Sequence, residues 1–416
     1  MKTTLLFISS SFFLFCATVA NGQTAGTWST LSSSGLNPRY WCTSGVVNGK
    51  IYLIGGNNGT GFDTTVDVYD PATDTWQTLA TTGHFTARMA LTSCVYNGKI
   101  YVMGGCTGPE TPAYMSNLVE VFDPSTNAWS TPQTTGTFTP RCVLASAAVN
   151  NKFYVIGGFN GSNDLTTMEV FDPATNTWSS PTTSGSFLAR GAFPAVVYNN
   201  KIYVIGGASN GTLPTRIQVF DPSINEWSTL STHGSFAGRC DHAVGVIGEK
   251  VYVMGGLYGG GFSPITTDAF QVFDLQTNTW STPTYNGSFM SRGYVTSVVA
   301  DNQLYVIGGV DTIGGQPYCL GVIQSFDPST ASVDVNHSNI KACTALPNPT
   351  SGNVTLTNVP TDARITVENL LGQPVLQINN LNGSSTEVEL ATLPTGTYYI
   401  RILTQSGIIV RKIIKE

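Results

Sequence analysis

Covalent chemistry needs nucleophiles, bases or metal ligands brought close together, and this chain of 416 residues offers few candidates. Its histidines, His84, His233, His242 and His337, are widely separated, whereas a transition-metal site needs several nitrogen or sulfur ligands converging. The sequence has no Cys-x-x-Cys, no His-Glu-x-x-His and no Walker loop, and Gly259-Gly260-Gly261 precedes no helical pattern that could hold a phosphate. No cofactor and no metal are therefore expected. Arg39, Arg88, Arg141, Arg190, Arg239 and Arg292 would suit an anion-binding ring, but they recur identically, and a ligand without sixfold symmetry could not use them all. They read as structural, each guanidinium stacking or hydrogen-bonding between neighbouring repeats. What remains for function is aromatic side chains beside carboxylates, a combination that suits sugars. The repeat decides which residues these are.

Charged residues make up only 11% of the chain, against roughly a quarter in ordinary soluble proteins. With 41% hydrophobic residues and 44 glycines, disorder, coiled coils and long amphipathic helices are excluded. A formal net charge of -6 offers no cationic surface, which excludes nucleic acid and points to a neutral partner. Leu5 to Ala20 is apolar behind Lys2 and gives way to Ala20-Asn21-Gly22-Gln23. Such a run is short for a membrane span and reads as a secretory signal over residues 1–22. Its removal takes Cys16 from the eight cysteines and leaves an odd seven in an oxidising compartment.

A strand ending in a glycine pair recurs as IYLIGG (51–56), IYVMGG (100–105), FYVIGG (153–158), IYVIGG (202–207), VYVMGG (251–256) and LYVIGG (304–309). The steps are 49, 53, 49, 49 and 53 residues, and an arginine stands 16 residues before the first glycine of every pair. Six units of this length are a repeat architecture. Between each arginine and its glycine pair lie two apolar runs, strands a and b, joined by Asn48-Gly49, Asn97-Gly98 and similar pairs that favour type I′ hairpins. A third strand, c, runs into Tyr-Asp-Pro or Phe-Asp-Pro, a turn signal. Strand d then opens on Trp76, Trp129, Trp178, Trp227 or Trp280, with Val333 at that place in the last unit. Trp28, within Thr27 to Leu31, has no strands before it. It is expected to supply strand d of the last unit, closing a ring without exposed sheet edges.

The glycine pair, the Asp-Pro turn, the spaced tryptophan and the arginine before strand a resemble the Kelch family from Thr27 to Val335. The resemblance implies a six-bladed β-propeller over residues 23–335 but not one function, since Kelch propellers include adaptors, sugar mutarotases and copper oxidases. A copper centre of the galactose-oxidase type would need histidine ligands beside a redox tyrosine, and no Tyr-His pair occurs.

Repeated residues build the ring, so unrepeated ones should carry specificity. The first two residues after each arginine are expected to begin the innermost strand and line the channel mouth: Tyr40-Trp41, Met89-Ala90, Cys142-Val143, Gly191-Ala192, Cys240-Asp241 and Gly293-Tyr294. Trp41 either plugs the channel or contacts a ligand. Units two, five and six carry longer bc loops, Cys106 to Asn117, Leu257 to Asp268 and Val310 to Gly321, and such insertions are where function usually lives. The expected ligand-binding residues are Trp41, Tyr40, Asp241, Tyr258, Tyr294, Asp311 and Tyr318, with Phe262 beside them. Cys106 with Cys142, and Cys319 with Cys42, are candidate disulfide pairs between neighbouring blades.

After a linker at 336–346, residues 347–416 show short alternating strands at Arg364 to Leu370, Thr386 to Leu390 and Thr397 to Leu403, the pattern of a small Ig-like β-sandwich. Pro347-Asn348-Pro349, Leu370-Leu371-Gly372-Gln373, Leu393 to Tyr399 and the basic end Arg411-Lys412-Ile413-Ile414-Lys415 resemble the type A sorting domain of the type IX secretion system. That resemblance implies export by the type IX machinery of a Bacteroidota-type bacterium, with release or tethering to surface glycolipid as the only membrane association. The reading as a whole is a monomeric, secreted or surface-displayed, non-enzymatic propeller that binds a glycan or protein. The alternative is a carbohydrate-active enzyme of the Kelch sialate mutarotase type, with Asp241 or Asp311 as acid or base in a deep acidic pocket.

Overall fold

The computed structural model describes residues 24–259, 265–313, 316–330, 344–359, 363–369, 374–378, 385–404 and 407–416. The signal segment, Phe262, Val333, linker residues 336–343 and the Leu370 to Gln373 motif lie outside the described residues.

Each repeat folds into one antiparallel sheet. In blade 1 the strands Thr43–Val47, Lys50–Ile54, Val66–Asp70 and Thr75–Thr78 pair in sequence order. Strand b is buried on both faces after its first lysine, because each blade is sandwiched between two others, and a continuous apolar run results instead of an alternating one. Strand a is built of small residues, as in Thr43–Val47 and Ala145–Val149, since these strands converge on the axis. The ab turns take the left-handed geometry expected, with Asn48 at φ 50° and Gly49 at φ 74°.

The innermost strands pack side by side around a ring, and that of blade 6, Thr296–Ala300, meets that of blade 1. Blade 6 is completed by the N-terminal strand Thr24–Thr30, which pairs with Ile323–Asp327 and sets Trp28 opposite Phe326. This is the register of Trp129 opposite Phe122 in blade 2. A further short strand, Thr284–Asn286, lies parallel outside it.

The six arginines are almost completely buried. Contrary to the expected interblade role for the guanidinium, each group bonds within its own blade. Arg39 pairs with Asp67, Arg88 with Glu120 and Arg141 with Glu169. Arg190 donates to Gln218 at 2.5 Å and Arg292 to Gln324 at 2.6 Å, while Arg239 donates to the Val253 carbonyl at 3.4 Å. Phe85, Phe236 and Phe289 stack beneath Arg88, Arg239 and Arg292. It is the arginine carbonyl that crosses between blades. It accepts from the second glycine of the preceding pair, as in Gly56 N–H to Arg88 O at 3.0 Å and Gly309 N–H to Arg39 O at 2.9 Å. Gly56 itself sits at φ 94°, where a Cβ would stand 2.7 Å from the Tyr40 carbonyl of its own blade, so the position takes only glycine.

The C-terminal unit is a two-sheet sandwich. Thr344–Leu346, Asn353–Thr357 and Ser385–Glu389 form one sheet, and Pro374–Ile378, Arg364–Glu368, Gly396–Thr404 and Gly407–Lys415 the other. Its core contains Val354, Leu356, Ile365, Val367, Val388, Ile400 and Ile402. Residues 344–346, read from sequence as linker, are thus a strand, drawn into the sheet by pairing with Thr355 to Thr357. Asn348 explains the Pro-Asn-Pro motif: its side chain donates to Lys412 O and accepts from Ile414 N–H, both at 2.8 Å, capping the basic terminal strand.

Candidate functional site

Loops from d to a and from b to c share one face, and the channel opens there. The residues after each arginine differ from expectation in one respect. Strand a begins four residues past the arginine, at Thr43 in blade 1. Position one instead forms an isolated bridge, such as Tyr40 with Asn57 and Cys142 with Phe159, and position two adopts the left-handed region. Trp41, Ala90, Val143, Ala192, Asp241 and Tyr294 all have φ between 45° and 57°.

The reason is a closed ring of backbone hydrogen bonds. Trp41 N–H donates to Tyr294 O (3.0 Å), Tyr294 to Asp241 (3.1 Å), Asp241 to Ala192 (2.9 Å), Ala192 to Val143 (2.8 Å), Val143 to Ala90 (2.9 Å) and Ala90 to Trp41 (2.8 Å). Strained φ values in non-glycine residues persist where surrounding contacts over-determine them, as this ring does. The backbone is therefore a rigid framework on which side chains vary freely. Blades 2 to 4 present only Ala90, Val143 and Ala192, whereas blades 5, 6 and 1 present Asp241, Tyr294 and Trp41.

These three meet across the mouth. Trp41 Nε1–H donates to Asp241 Oδ1 at 2.9 Å, spanning from blade 1 to blade 5. The Trp41 and Tyr294 rings meet edge-on with centroids 4.5 Å apart, and Tyr40 lies 5.6 Å from Trp41 and 6.0 Å from Tyr294. Burial lifts the Asp241 carboxyl to about 7, against the opposing hydrogen bonds from Trp41 and Cys240. Burial, followed by the Asp241 charge, raises the Tyr294 hydroxyl far above the ordinary phenol range.

Below the mouth lies a cavity of about 430 Å³, lined by the inner strands of all six blades, a volume within the range of small-molecule sites. Its wall is partly polar. Hydroxyl pairs bridge adjacent blades at Thr43–Ser93 (2.7 Å), Ser44–Thr296 (2.7 Å) and Thr92–Ser146 (2.6 Å).

Tyr40, Trp41, Asp241 and Tyr294 are thus brought together, while Tyr258, Asp311 and Tyr318 stand apart on two outer hairpins. The long loops of blades 5 and 6 are not irregular: Leu257–Tyr258 pairs with Ile265–Thr266, and Val310–Ile313 with Gln316–Cys319. Thr266 Oγ1 donates to Asp311 Oδ1 at 2.7 Å, tying the two hairpins. Tyr258 and Tyr318 are exposed, and among the described residues no ring contact joins either to the mouth cluster.

Sequence reasoning missed Glu110. It lies exposed on the long loop of blade 2, and its negative charge is among the smaller causes that raise the Asp241 and Tyr294 groups. The signal was present, since Glu110 is an unrepeated acid within one of the three extended loops. Lys50, Lys99, Lys152 and Lys201 sit at the opposite, ab-hairpin end of the propeller, each paired with the aspartate that ends strand c.

The expected disulfides are not formed. Cys42, Cys94, Cys106, Cys142, Cys240 and Cys319 are free thiols. Cys319 directs its thiol to Asn57 O at 3.8 Å rather than to Cys42.

Compared with known families, residues 41–256 and 195–359 match the KLHDC2/KLHL20/DRC7 Kelch-repeats domain. Residues 344–416 match the secretion system C-terminal sorting domain. No curated protein matches the chain. The sorting domain directs export through the type IX secretion system to the cell surface or extracellular space, and it implies interaction with that machinery. With blades, arginines and glycine pairs all in register, the chain belongs to the Kelch-repeat family and ends in a type IX sorting domain.

Proposed function

We propose that this secreted Kelch protein binds a carbohydrate at the channel mouth, through Trp41, Tyr40 and Tyr294 as apolar platforms and Asp241 with Glu110 as hydroxyl acceptors. One observation carries the reading. The only large and ionisable side chains on the sixfold backbone ring, Trp41, Asp241 and Tyr294, occupy consecutive blades and touch one another. A framework needs no such asymmetry, because Ala90, Val143 and Ala192 hold the same backbone geometry without them. Tyr258, Asp311 and Tyr318 form an outer rim that meets the more distant part of an extended glycan. Kelch domains are usually non-catalytic binding scaffolds, and a monomeric binding protein fits that habit.

The raised Asp241 carboxyl favours a second reading. A carboxyl poised at about 7 can both donate and accept a proton near neutral pH, which is what opening and reclosing a sugar ring requires. A glycan panel probed with the purified full-length protein tests binding. Binding to no glycan above background overturns the first reading, and proton NMR of anomeric exchange for reducing sugars, unchanged by added protein, overturns the second.

A further inference from the structure

The half of the mouth formed by blades 2 and 3 is apolar. Cys106, on blade 2, forms backbone bridges on both sides, to Met89 and to Met115, and Cys142, on blade 3, bridges to Phe159. Directly opposite residues of an antiparallel pair share one face, so the two methionines flank Cys106. Ala90, Cys106 and Cys142 form a buried floor, and Trp41, Met89, Met115, Val143 and Phe159 pack against it while each stays half-buried. The shelf is held rigidly. Met89 and Cys106 exchange hydrogen bonds at 3.1 and 2.9 Å, as Cys142 and Phe159 do at 3.0 and 2.9 Å. In the blade 2 loop, Thr107 N–H donates to Tyr114 O at 3.0 Å and Ser116 N–H to Gly105 O at 2.9 Å. Asp164, bridged to the far side of Phe159, is engaged with blade 4, where it accepts from Asn210 N–H at 2.9 Å. The sixfold frame does not require these apolar side chains, because blade 4 closes the same ring and the same bridge with Gly191, Ala192 and Ala208.

We propose that this shelf receives an aliphatic chain attached to the sugar, which makes the ligand an amphiphilic glycoconjugate. The inference rests on the carbohydrate reading above and specifies its ligand. Trp41 joins the two halves of the mouth, since it packs on the shelf, donates to Asp241 and meets Tyr294 edge-on. A sugar seated on that cluster shares Trp41 with whatever lies on the shelf. Further sugar units would fare badly there, because thioether, isopropyl and phenyl groups return no strong hydrogen bond for the water that hydroxyls give up. A methylene chain gives up no such bond and gains with each methylene covered. Unbranched methionine side chains adjust to a chain without fixed shape. Contiguous apolar surface of this kind on a soluble protein marks a site of interaction.

The test compares methyl and n-octyl β-glycosides of glucose, galactose and N-acetylglucosamine, below micellar concentration, by ligand-observed NMR titration with the full-length protein. Tri(ethylene glycol) monooctyl ether supplies the chain without a sugar. The expected result is at least about tenfold tighter binding of the octyl member of whichever pair binds. Met89→Gln combined with Met115→Gln should cut that advantage to under about threefold. Met115→Gln alone should lower it in part, which keeps the test decisive where the double variant is unstable. Ile224→Gln, an exposed isoleucine at the opposite, ab-hairpin end, should keep the advantage in full. Equal affinity for methyl and octyl glycosides, or an advantage unchanged in the methionine variants, overturns the inference and leaves the carbohydrate reading standing. No methyl glycoside bound, with the ether bound as tightly as the octyl glycosides, overturns the carbohydrate reading and the glycoconjugate with it.

Discussion

Replacing Asp241 by Asn isolates the electrostatic cost of the carboxylate from its hydrogen bonding. Asparagine keeps an Oδ1 acceptor for Trp41 Nε1–H, now at 2.9 Å, while removing the charge. The carboxyl rises from its ordinary 3.8 to about 7 on folding, with burial as the main cause. A raised folded value means that the native state holds the proton more tightly than the unfolded chain. Asp241 therefore costs nothing below pH 3.8, and its penalty grows as pH rises and is complete above about 7. At 1.36 kcal/mol per pH unit the upper bound is about 4 kcal/mol, which partial exposure to the channel reduces to roughly 1–2 kcal/mol. Asp241→Asn should melt level with the wild type at pH 4 and about 2–4 °C higher at pH 8. Thermal unfolding across pH 4 to 9 is the assay. Parallel curves for the two proteins, or a variant less stable at pH 8, would refute the claim that the burial of Asp241 outweighs the hydrogen bonds its carboxylate accepts from Trp41 and Cys240.

Glu120→Gln should be tolerated to within roughly 1 kcal/mol, because Gln218 serves Arg190 in the same way in blade 4, while Glu120→Ala leaves Arg88 unpaired and costs about 3–5 kcal/mol in urea unfolding. Deleting residues 23–34 removes the strand that covers Ile323–Asp327 and packs Trp28 on Phe289, so the protein should melt several degrees lower or self-associate in size-exclusion chromatography. A chain truncated after Asn336 should fold yet stay in the periplasm, read by fractionation; equal surface display of both forms would contradict the sorting role of the tail.

Much of the propeller was readable because its physics repeats. A buried-on-both-faces strand b, a small-residue strand a and a left-handed hairpin each leave a local pattern, and six copies make the register plain. An orphan tryptophan implies a missing partner, and Trp28 finds it in Phe326 of the last blade. Long-range consequences were harder to see. Repetition alone suggests that Arg39 and its equivalents cross between blades, whereas their partners on strand c, 28 or more residues downstream, vary among Asp, Glu and Gln and leave no single motif. Strand a starts later than its apolar pattern suggests because the left-handed residue ahead of it answers to a hydrogen-bond ring, which no local propensity encodes. Tyr40, Trp41, Asp241 and Tyr294 were legible as departures from the repeat. Their meeting depends on side chains from blades distant in sequence.

The central claim is that residues departing from the sixfold pattern at the channel mouth form the ligand site. It is tested most directly by calorimetric titration of a sugar identified on the glycan panel into wild type, Trp41→Ala and Trp178→Ala. Trp41 lies at the mouth, where losing an aromatic contact commonly costs at least about 1 kcal/mol of binding, roughly fivefold in affinity. Trp178 is buried between Phe138 and Phe171 in blade 3, and its truncation should cost about 3–5 kcal/mol of stability. The account predicts that Trp41→Ala weakens binding at least severalfold with a melting point lowered clearly less than in Trp178→Ala, and that Trp178→Ala lowers the melting point while its folded fraction keeps wild-type affinity. Unaltered affinity in Trp41→Ala, with a melting point lowered as far as in Trp178→Ala, would make Trp41 a plug for the channel and contradict the claim.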